Sequence, residues 1–218
     1  MDVQVLQRGS YRFPAHLVTR LGDEAPDTLY LRGDERILLG IQLGVICSVS
    51  CPGSIVIKTL DTIRKVRDAG IVVAGGFHSP MERECLHFLL RGPQAVLWCP
   101  AAGLRCSPLG IEEQRSLDER RLSLLSIFDE GAANATPELA SRRNDVVAAL
   151  ADVVLVVHAV AGGKAEATLR RALARGQVVL TLEDPENEHL VRLGATPVAV
   201  ANAVPVVLAT ISRGASVR

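Results

Sequence analysis

Aromatic side chains are scarce in this chain of 218 residues, which contains one Trp, two Tyr and four Phe. Many proteins that bind single-stranded nucleic acid stack its bases on aromatic rings, so the composition predicts few stacking surfaces. Net charge is lacking as well, because 24 basic side chains balance 24 acidic ones. Strong non-specific DNA binding depends on a basic surface and is therefore not expected. The composition does not exclude a local basic patch, since 21 of the 24 basic residues are Arg, the better bidentate partner of phosphate.

Targeting and metal-binding patterns are missing too. Residues 1–10 lack the apolar segment of a signal peptide, and no apolar run is long enough to span a bilayer. We therefore expect a cytoplasmic protein that does not bind a membrane. The five cysteines show no C-x-x-C spacing, which argues against a disulfide framework and a zinc site. We expect no metal and no cofactor.

Short aliphatic runs alternate with amphipathic segments from about residue 43 onward. The clearest strand is Val153–His158, and clear helices are Ser54–Ala69, Pro80–Leu90 and Ser141–Leu150. This alternation predicts an α/β domain with a doubly wound, mainly parallel sheet and helices on both faces. Residues 1–25 lack periodicity and are predicted to form an irregular arm, with residues 26–218 forming the domain.

The turns that follow the strands are the places to look for a site, because ligands of such sheets bind beyond the carboxyl ends of the strands. The first is the turn of small residues around Ser48, where backbone N–H groups can approach an anion at a helix N-terminus. The alternative is a tight turn whose Ser54 only caps the helix. No G-x-G-x-x-G or P-loop pattern decides between them.

The second turn contains Gly75 and Gly76, and a diglycine allows close approach of a ligand to the backbone. Ser79 adds a hydroxyl to the same turn. The alternative is structural, because Ser79, Pro80 and Glu82 fit a capping box with proline at the first helical position.

Two further turns carry positive charge. Arg142 and Arg143, followed by Asn144, lie near the predicted helix start, where cations oppose the helix dipole and an anion would explain them. Gly162, Gly163 and Lys164 follow the clearest strand and suit a phosphate cradle, although a tight turn with a solvated lysine explains them equally well.

The order of these motifs resembles the DNA-processing protein DprA/Smf family. The strongest stretch is 143–157, which resembles the family's Arg-Asn-Arg helix and the Val-rich strand after it. Gly162-Gly163-Lys164 continues the match, and Asn187, Leu190, Gly194 and Ala195 resemble the closing Asn-x-Leu-Ile-x-x-Gly-Ala element. The resemblance implies a Rossmann-like domain, related to the LOG nucleotide hydrolases.

Two departures bear on function. Cys47-Ser48-Val49 stands where the family has Gly-Ser-Arg, and Asp145 stands in place of the last Arg of Arg-Asn-Arg. We therefore predict a non-catalytic protein that binds a nucleotide or nucleic-acid phosphate. Its phosphate-binding residues would be Ser48, Gly75, Gly76, Ser79, Arg143, Asn144, Gly162, Gly163 and Lys164.

Two alternatives stay open. DprA relatives bind single-stranded DNA and load a recombinase onto it, so the resemblance implies a homodimeric recombination mediator as the first. The second is a nucleotide phosphoribohydrolase like the LOG proteins, with Glu82, Glu84 or Glu166 as the candidate catalytic carboxylate. The LOG motif itself is incomplete here, since its Gly-Thr is missing.

Overall fold

A computed structural model describes residues 2–129, 131–132 and 136–215. The strands are β1 (Gln4–Gln7), β2 (Thr28–Arg32), β3 (Leu43–Cys47), β4 (Val73–Gly75), β5 (Val96–Trp98), β6 (Leu122–Ser126), β7 (Val153–His158), β8 (Val178–Leu182) and β9 (Thr196–Val198). The helices are α1 (Ala15–Leu21), α2 (Gly53–Asp68), α3 (Pro80–Leu90), α4 (Ile111–Asp118), α5 (Pro137–Leu150), α6 (Lys164–Ala174), α7 (Glu188–Arg192) and α8 (Ala203–Ala215). Short 3₁₀ turns precede α4 and α7.

All the strands belong to one sheet, in the order β1-β2-β6-β5-β4-β3-β7-β8-β9. The strands from β3 to β9 are parallel to their neighbours, whereas β1 and β2 run antiparallel at one edge. The chain winds outward from β3 to β6 and then returns to the other side of β3 with β7. The predicted doubly wound α/β fold is confirmed.

The core lies on both faces of the sheet, because the central strands are apolar at successive positions. Val153, Leu155 and Val157 face α2, α3, α4 and α8, while Val154 and Val156 face α6 and α7. On that second face, α1 and α5 cover the half of the sheet that contains β4 to β6 and β2. Strands buried in this way read as continuous apolar runs, which is why they were visible in the sequence.

The first 25 residues are more regular than the sequence predicts. They contain β1, which pairs with β2, and α1, whose Leu17 and Leu21 are buried beside α5. A four-residue edge strand and a seven-residue helix are too short to show a clear period. Whether residue 25 marks a domain boundary stays a prediction.

Within the residues that the structure describes, no helix is long and apolar enough to cross a membrane.

Candidate functional site

The strand order reverses between β3 and β7, which places the crevice of the sheet beyond the carboxyl ends of these two strands. The turns that leave them are bonded together. The Ser48 N–H donates to the His158 carbonyl at 3.0 Å, and the Ser48 hydroxyl accepts from the Val160 N–H, also at 3.0 Å. Ser48 thus joins the two turns, as its position after β3 would require.

The turn after β7 brings Gly162, Gly163 and Lys164 to the start of α6. Gly162 has a φ of 73°, which favours glycine. Its N–H donates to the Glu166 carboxylate at 3.3 Å, and the Gly163 N–H donates to the Val160 carbonyl at 2.9 Å. Both backbone donors are therefore already bonded within the protein, whereas the Lys164 side chain is exposed. Of the three predicted residues, Lys164 is the one that offers its charge to a ligand.

The turn after β4 contains the predicted capping box. Ser79 accepts from the Glu82 N–H, and the Glu82 carboxylate accepts from the N–H groups of His78 and Ser79 at 3.1 and 3.0 Å. The same carboxylate accepts from the Cys47 N–H at 3.1 Å, which ties the start of α3 to the end of β3. Glu82 is buried and bonded on both oxygens. Its role is to link the end of β3 to the turn after β4.

Protein side chains fill the space beside both glycines of this turn. A Cβ atom on Gly76 would lie 1.6 Å from Nη1 of Arg143, and one on Gly75 would lie 2.8 Å from the ring of Phe77. Arg143 is 4% exposed and donates from Nη1 to the Cys99 carbonyl at 2.8 Å. The close approach that the glycines allow is thus made by the Arg143 guanidinium and the Phe77 ring.

Arg143 does not lie at a helix start, contrary to the prediction from the sequence. Helix α5 begins at Pro137, where the Thr136 hydroxyl accepts from the Leu139 N–H, so Arg143 is in its middle. Burial lowers the pKa of Arg143, and the nearby Glu82 carboxylate opposes that shift. The dipole argument for an anion at this position therefore fails.

The neighbours of Arg143 are partly buried as well. The Asn144 side-chain oxygen is buried, with no hydrogen-bond partner among the described residues. Asp145, the departure from the family pattern, pairs with Arg171 of α6 at 2.8 Å. Burial raises the pKa of Asp145 despite that pairing. Asp145 thus replaces a basic residue with an acid that the fold itself neutralises.

Two thiols meet at the end of β3. A hydrogen bond from Cys47 lowers the pKa of the Cys51 thiol, and the same contact, together with burial, raises that of Cys47. Cys51 is half-buried and lines a cavity of about 660 Å³. All five cysteines are free.

A second cavity, of about 450 Å³, lies at the carboxyl ends of β4 and β5. Three side chains line both cavities and separate them: His78, Arg83 and His87. Trp98, at the end of β5, lines the smaller cavity. The search of the sequence missed Arg83, His87 and Trp98. The one feature of the sequence that could have pointed to this cavity is Trp98 itself, the single Trp of the chain, at the end of a strand.

Eight of the nine predicted residues fall into two groups, and the ninth, Asn144, lies beside Arg143 on α5. Ser48, Gly162, Gly163 and Lys164 meet at the β3–β7 reversal, while Gly75, Gly76, Ser79 and Arg143 meet beyond β4 and β5. Glu82 connects the groups through Cys47. Phosphate binding by any of these residues stays a prediction.

The sheet order, the reversal at β3 and the polar turns beyond it define an α/β protein of the Rossmann-like class. The model of one family, the DNA recombination-mediator protein A family, matches residues 4–207. The chain belongs to this family, as its motif order suggested.

Solved structures agree on the fold. DNA processing protein A from Streptococcus pneumoniae matches with a TM-score of 0.79 at 19% identity, over 94% of this chain and 74% of the other. The protein from Helicobacter pylori, described for its single-stranded DNA binding mode, matches with a TM-score of 0.77 at 17% identity, over 98% and 97%. A molybdenum cofactor binding protein from Rippkaea orientalis shares the fold more loosely, with a TM-score of 0.56 at 11% identity, over 78% and 96%. No curated protein matched the sequence.

Proposed function

We propose that this chain binds single-stranded DNA and acts as a recombination mediator. The observation that carries the proposal is the family match, which includes every strand of the sheet. The structural relative from Helicobacter pylori, itself described as binding single-stranded DNA, supports it across nearly the whole of both chains. Of the interpretations drawn from the sequence, the DNA-binding mediator fits these findings better than phosphate binding without DNA.

The charges at the carboxyl edge of the sheet are compatible with such a ligand. Arg83 and Lys164 are exposed in the first turns of α3 and α6, and Arg83 has no ion-pair partner within the described ranges. Both helix N-termini also point their dipoles at this edge, which favours negative charge. The neutral net charge of the chain therefore coexists with a local edge suited to phosphates.

A salt titration of oligonucleotide binding tests the proposal. Fluorescence anisotropy of a labelled oligo(dT) would be measured from about 50 to about 200 mM salt, because phosphate contacts release counterions and make affinity fall with salt. We expect Arg83→Ala and Lys164→Ala to weaken binding and to reduce the slope of log K against log salt by about 0.7 for each contact removed.

Arg192→Ala is the matched control. Arg192 is exposed at the end of α7, on the opposite edge of the sheet, and pairs only loosely with Glu188 at 3.5 Å. Its removal changes the net charge equally and should leave the slope unchanged. Absence of oligonucleotide binding even at low salt would overturn the proposed function.

Two finer parts of the proposal concern assembly. We propose that the chain delivers bound DNA to a recombinase and that it acts as a homodimer, as the family resemblance implies. Phosphate binding by the nine residues predicted from the sequence stays a prediction, and among them we propose Lys164, whose side chain is exposed, as a phosphate contact. Light scattering of the purified protein would give the oligomeric state, and a monomer at working concentration would remove the homodimer from it.

A further inference from the structure

Two of the five free thiols of the chain lie against each other at the end of β3. Cys47 is the last residue of that strand, and Cys51 directly precedes Pro52, the N-cap of α2. A hydrogen bond joins their side chains. Cys47 belongs to the segment in which the chain departs from the family's Gly-Ser-Arg pattern, so the family resemblance assigns no role to this pair.

The two thiols differ in exposure and in protonation. Cys47 is 8% exposed, whereas Cys51 is half-buried and lines the larger cavity, of about 660 Å³. The Cys51 S–H points at the Pro52 carbonyl, 3.9 Å away, so Cys47 is the donor in the bond between the thiols. That bond lowers the pKa of Cys51 against the effect of burial, while the bond and burial together raise the pKa of Cys47. Cys51 is thus the thiol that ionises first.

The position of Cys51 also favours a thiolate. It lies at the N-terminal end of α2, a helix of 16 residues whose dipole stabilises negative charge there. Thiols at helix N-termini are reactive, whereas thiols buried among apolar side chains are inert. Cys85 and Cys99 are of the inert kind, because burial raises the pKa of both, that of Cys99 to about 12.

A metal ion is another partner that neighbouring thiols commonly take. Over the residues that the structure describes, no group of three or more His, Cys, Asp or Glu side chains is placed to hold one. Two thiols alone fall short of the four ligands that a structural zinc ion takes. The contact between Cys47 and Cys51 is therefore better suited to redox chemistry.

We propose that Cys47 and Cys51 form a reversible disulfide when the protein meets a hydroperoxide, with Cys51 as the attacking thiol and Cys47 as the resolving thiol. The inference goes beyond the proposed function and does not depend on DNA binding. The exposed edge of the pair would receive the oxidant through the larger cavity, which Cys51 lines.

The reaction proceeds in two steps. First, the Cys51 sulfur attacks one oxygen of the hydroperoxide, the O–O bond breaks, and Cys51 becomes a sulfenic acid. The departing oxygen takes up the proton that Cys51 gave up. Second, the Cys47 sulfur attacks the Cys51 sulfur, the S–S bond forms, and the S–O bond breaks. The sulfenic oxygen leaves as water with the Cys47 proton, so the two thiols lose two electrons and the hydroperoxide gains them.

The turn between the two residues can adjust to the new bond. A disulfide brings the sulfur atoms to about 2.05 Å, closer than a hydrogen bond between thiols. Val49 and Ser50 are exposed, so a shift of this turn disturbs no core packing. The disulfide would connect the end of β3 to the start of α2, across the turn whose Ser48 is bonded to the turn after β7.

Peptide mapping of the unaltered protein tests the inference. The protein would be treated with a small excess of hydrogen peroxide, alkylated and digested with trypsin. One tryptic fragment, residues 37–58, contains both Cys47 and Cys51. The other three cysteines fall in separate fragments, residues 84–91, 92–105 and 106–115. We expect fragment 37–58 to lose two hydrogen atoms and to resist alkylation, the other three to be alkylated, and dithiothreitol to restore both thiols.

Three results would overturn the disulfide. The first is that all five thiols remain open to alkylation after oxidation. The second is a gain of oxygen on Met81, which lines the same cavity, with no loss of thiols. The third is a link from either thiol to Cys85. Each is read on the unaltered protein, so the decision does not depend on whether a variant folds.

Variants test the separate roles of the two thiols. Cys47→Ser keeps the attacking thiol and should accumulate a sulfenic acid that dimedone traps, because the resolving thiol is gone. Cys51→Ser should leave Cys47 unmodified. Cys106→Ser is the control, since Cys106 is also half-buried but lines the smaller cavity, and it should form the disulfide as the unaltered protein does. Equal labelling of Cys47→Ser and Cys51→Ser by dimedone would overturn the assignment of roles.

Discussion

At the scale of single residues, the Arg143 guanidinium occupies the space that a side chain on Gly76 would need. Arg143 is almost fully buried, yet its guanidinium makes one direct bond to the Cys99 carbonyl and its Nε has no partner among the described residues. Buried charges are usually paired and fully bonded. The fold keeps this cation in place by leaving room for it above Gly76.

Gly76→Ala should therefore destabilise the protein by about 1–3 kcal/mol, the usual cost of forcing extra volume into a packed site. Urea unfolding would measure it. In an Arg143→Ala background the same Gly76→Ala change should cost much less, because the clashing group is gone. Gly53→Ala is the control, since nothing lies within 4 Å of its added Cβ. Additive costs of Gly76→Ala and Arg143→Ala would contradict the contact.

At the scale of elements, an ion pair joins helix α2 to the turn after β8. Lys58 of α2 bonds to Asp184 at 2.9 Å, and Asp184 also caps the 3₁₀ turn before α7. Burial alone would raise the pKa of Asp184, but hydrogen bonds from Lys58 and from the Glu186 N–H outweigh it and hold the pKa below its ordinary value. The folded state thus prefers this carboxyl ionised.

The sign of the pH dependence follows from that preference. A carboxyl whose pKa is lower in the folded state contributes stability above its unfolded pKa of about 3.9, and that stability is lost as pH falls through the folded value. Asp184→Asn should be less stable at neutral pH and should lose less stability on acidification. Urea unfolding at several pH values would show this. Asp61→Asn, at a half-exposed position on α2, is the control. The free energy of unfolding should fall with pH in this variant as steeply as in the unaltered protein. An equal pH dependence in Asp184→Asn and Asp61→Asn would contradict the role of Asp184.

The sequence revealed some elements better than others, for identifiable reasons. Val153–His158 and Pro80–Leu90 were predicted with the bounds that the structure has, because an uninterrupted aliphatic run and a Ser-Pro-x-Glu cap are strong local patterns. Helix α8 was missed, since Val204, Pro205 and Val206 are poor helix formers. Pro205 is tolerated because it lies in the first turn, and Val207 is buried against the sheet.

The candidate site shows the same limit. Local sequence identified the turns, since turns depend on glycines and caps a few residues apart. It did not show that the Gly76 backbone faces Arg143, or that Trp98 shares a cavity with Arg83, because these residues meet only once the sheet is assembled. The start of α5 was available from Thr136 and Pro137, a recognisable N-cap with proline after it.

At the scale of the whole molecule, the proposed binding of DNA should stabilise the folded chain. We expect saturating oligo(dT), at about 100 times Kd, to add about 2.7 kcal/mol to the free energy of unfolding. For a protein of this size that corresponds to a rise in Tm of roughly 5–10 °C. A mononucleotide should give a smaller rise, since it provides fewer phosphates. A thermal shift with mononucleotides alone would instead favour phosphate binding without DNA.

The order of the strands also constrains how the chain is made. β2 ends at Arg32, but its neighbour toward the centre of the sheet, β6, ends only at Ser126. Likewise, β3 lies between β4 and β7, and β7 ends only at His158. On the ribosome, the antiparallel pair β1–β2 must therefore wait for nearly a hundred further residues before it can dock. Such distant pairings slow folding and leave strand edges exposed in the meantime. The nascent chain is consequently at its most vulnerable to chaperone capture or aggregation while residues 33–158 are being synthesised.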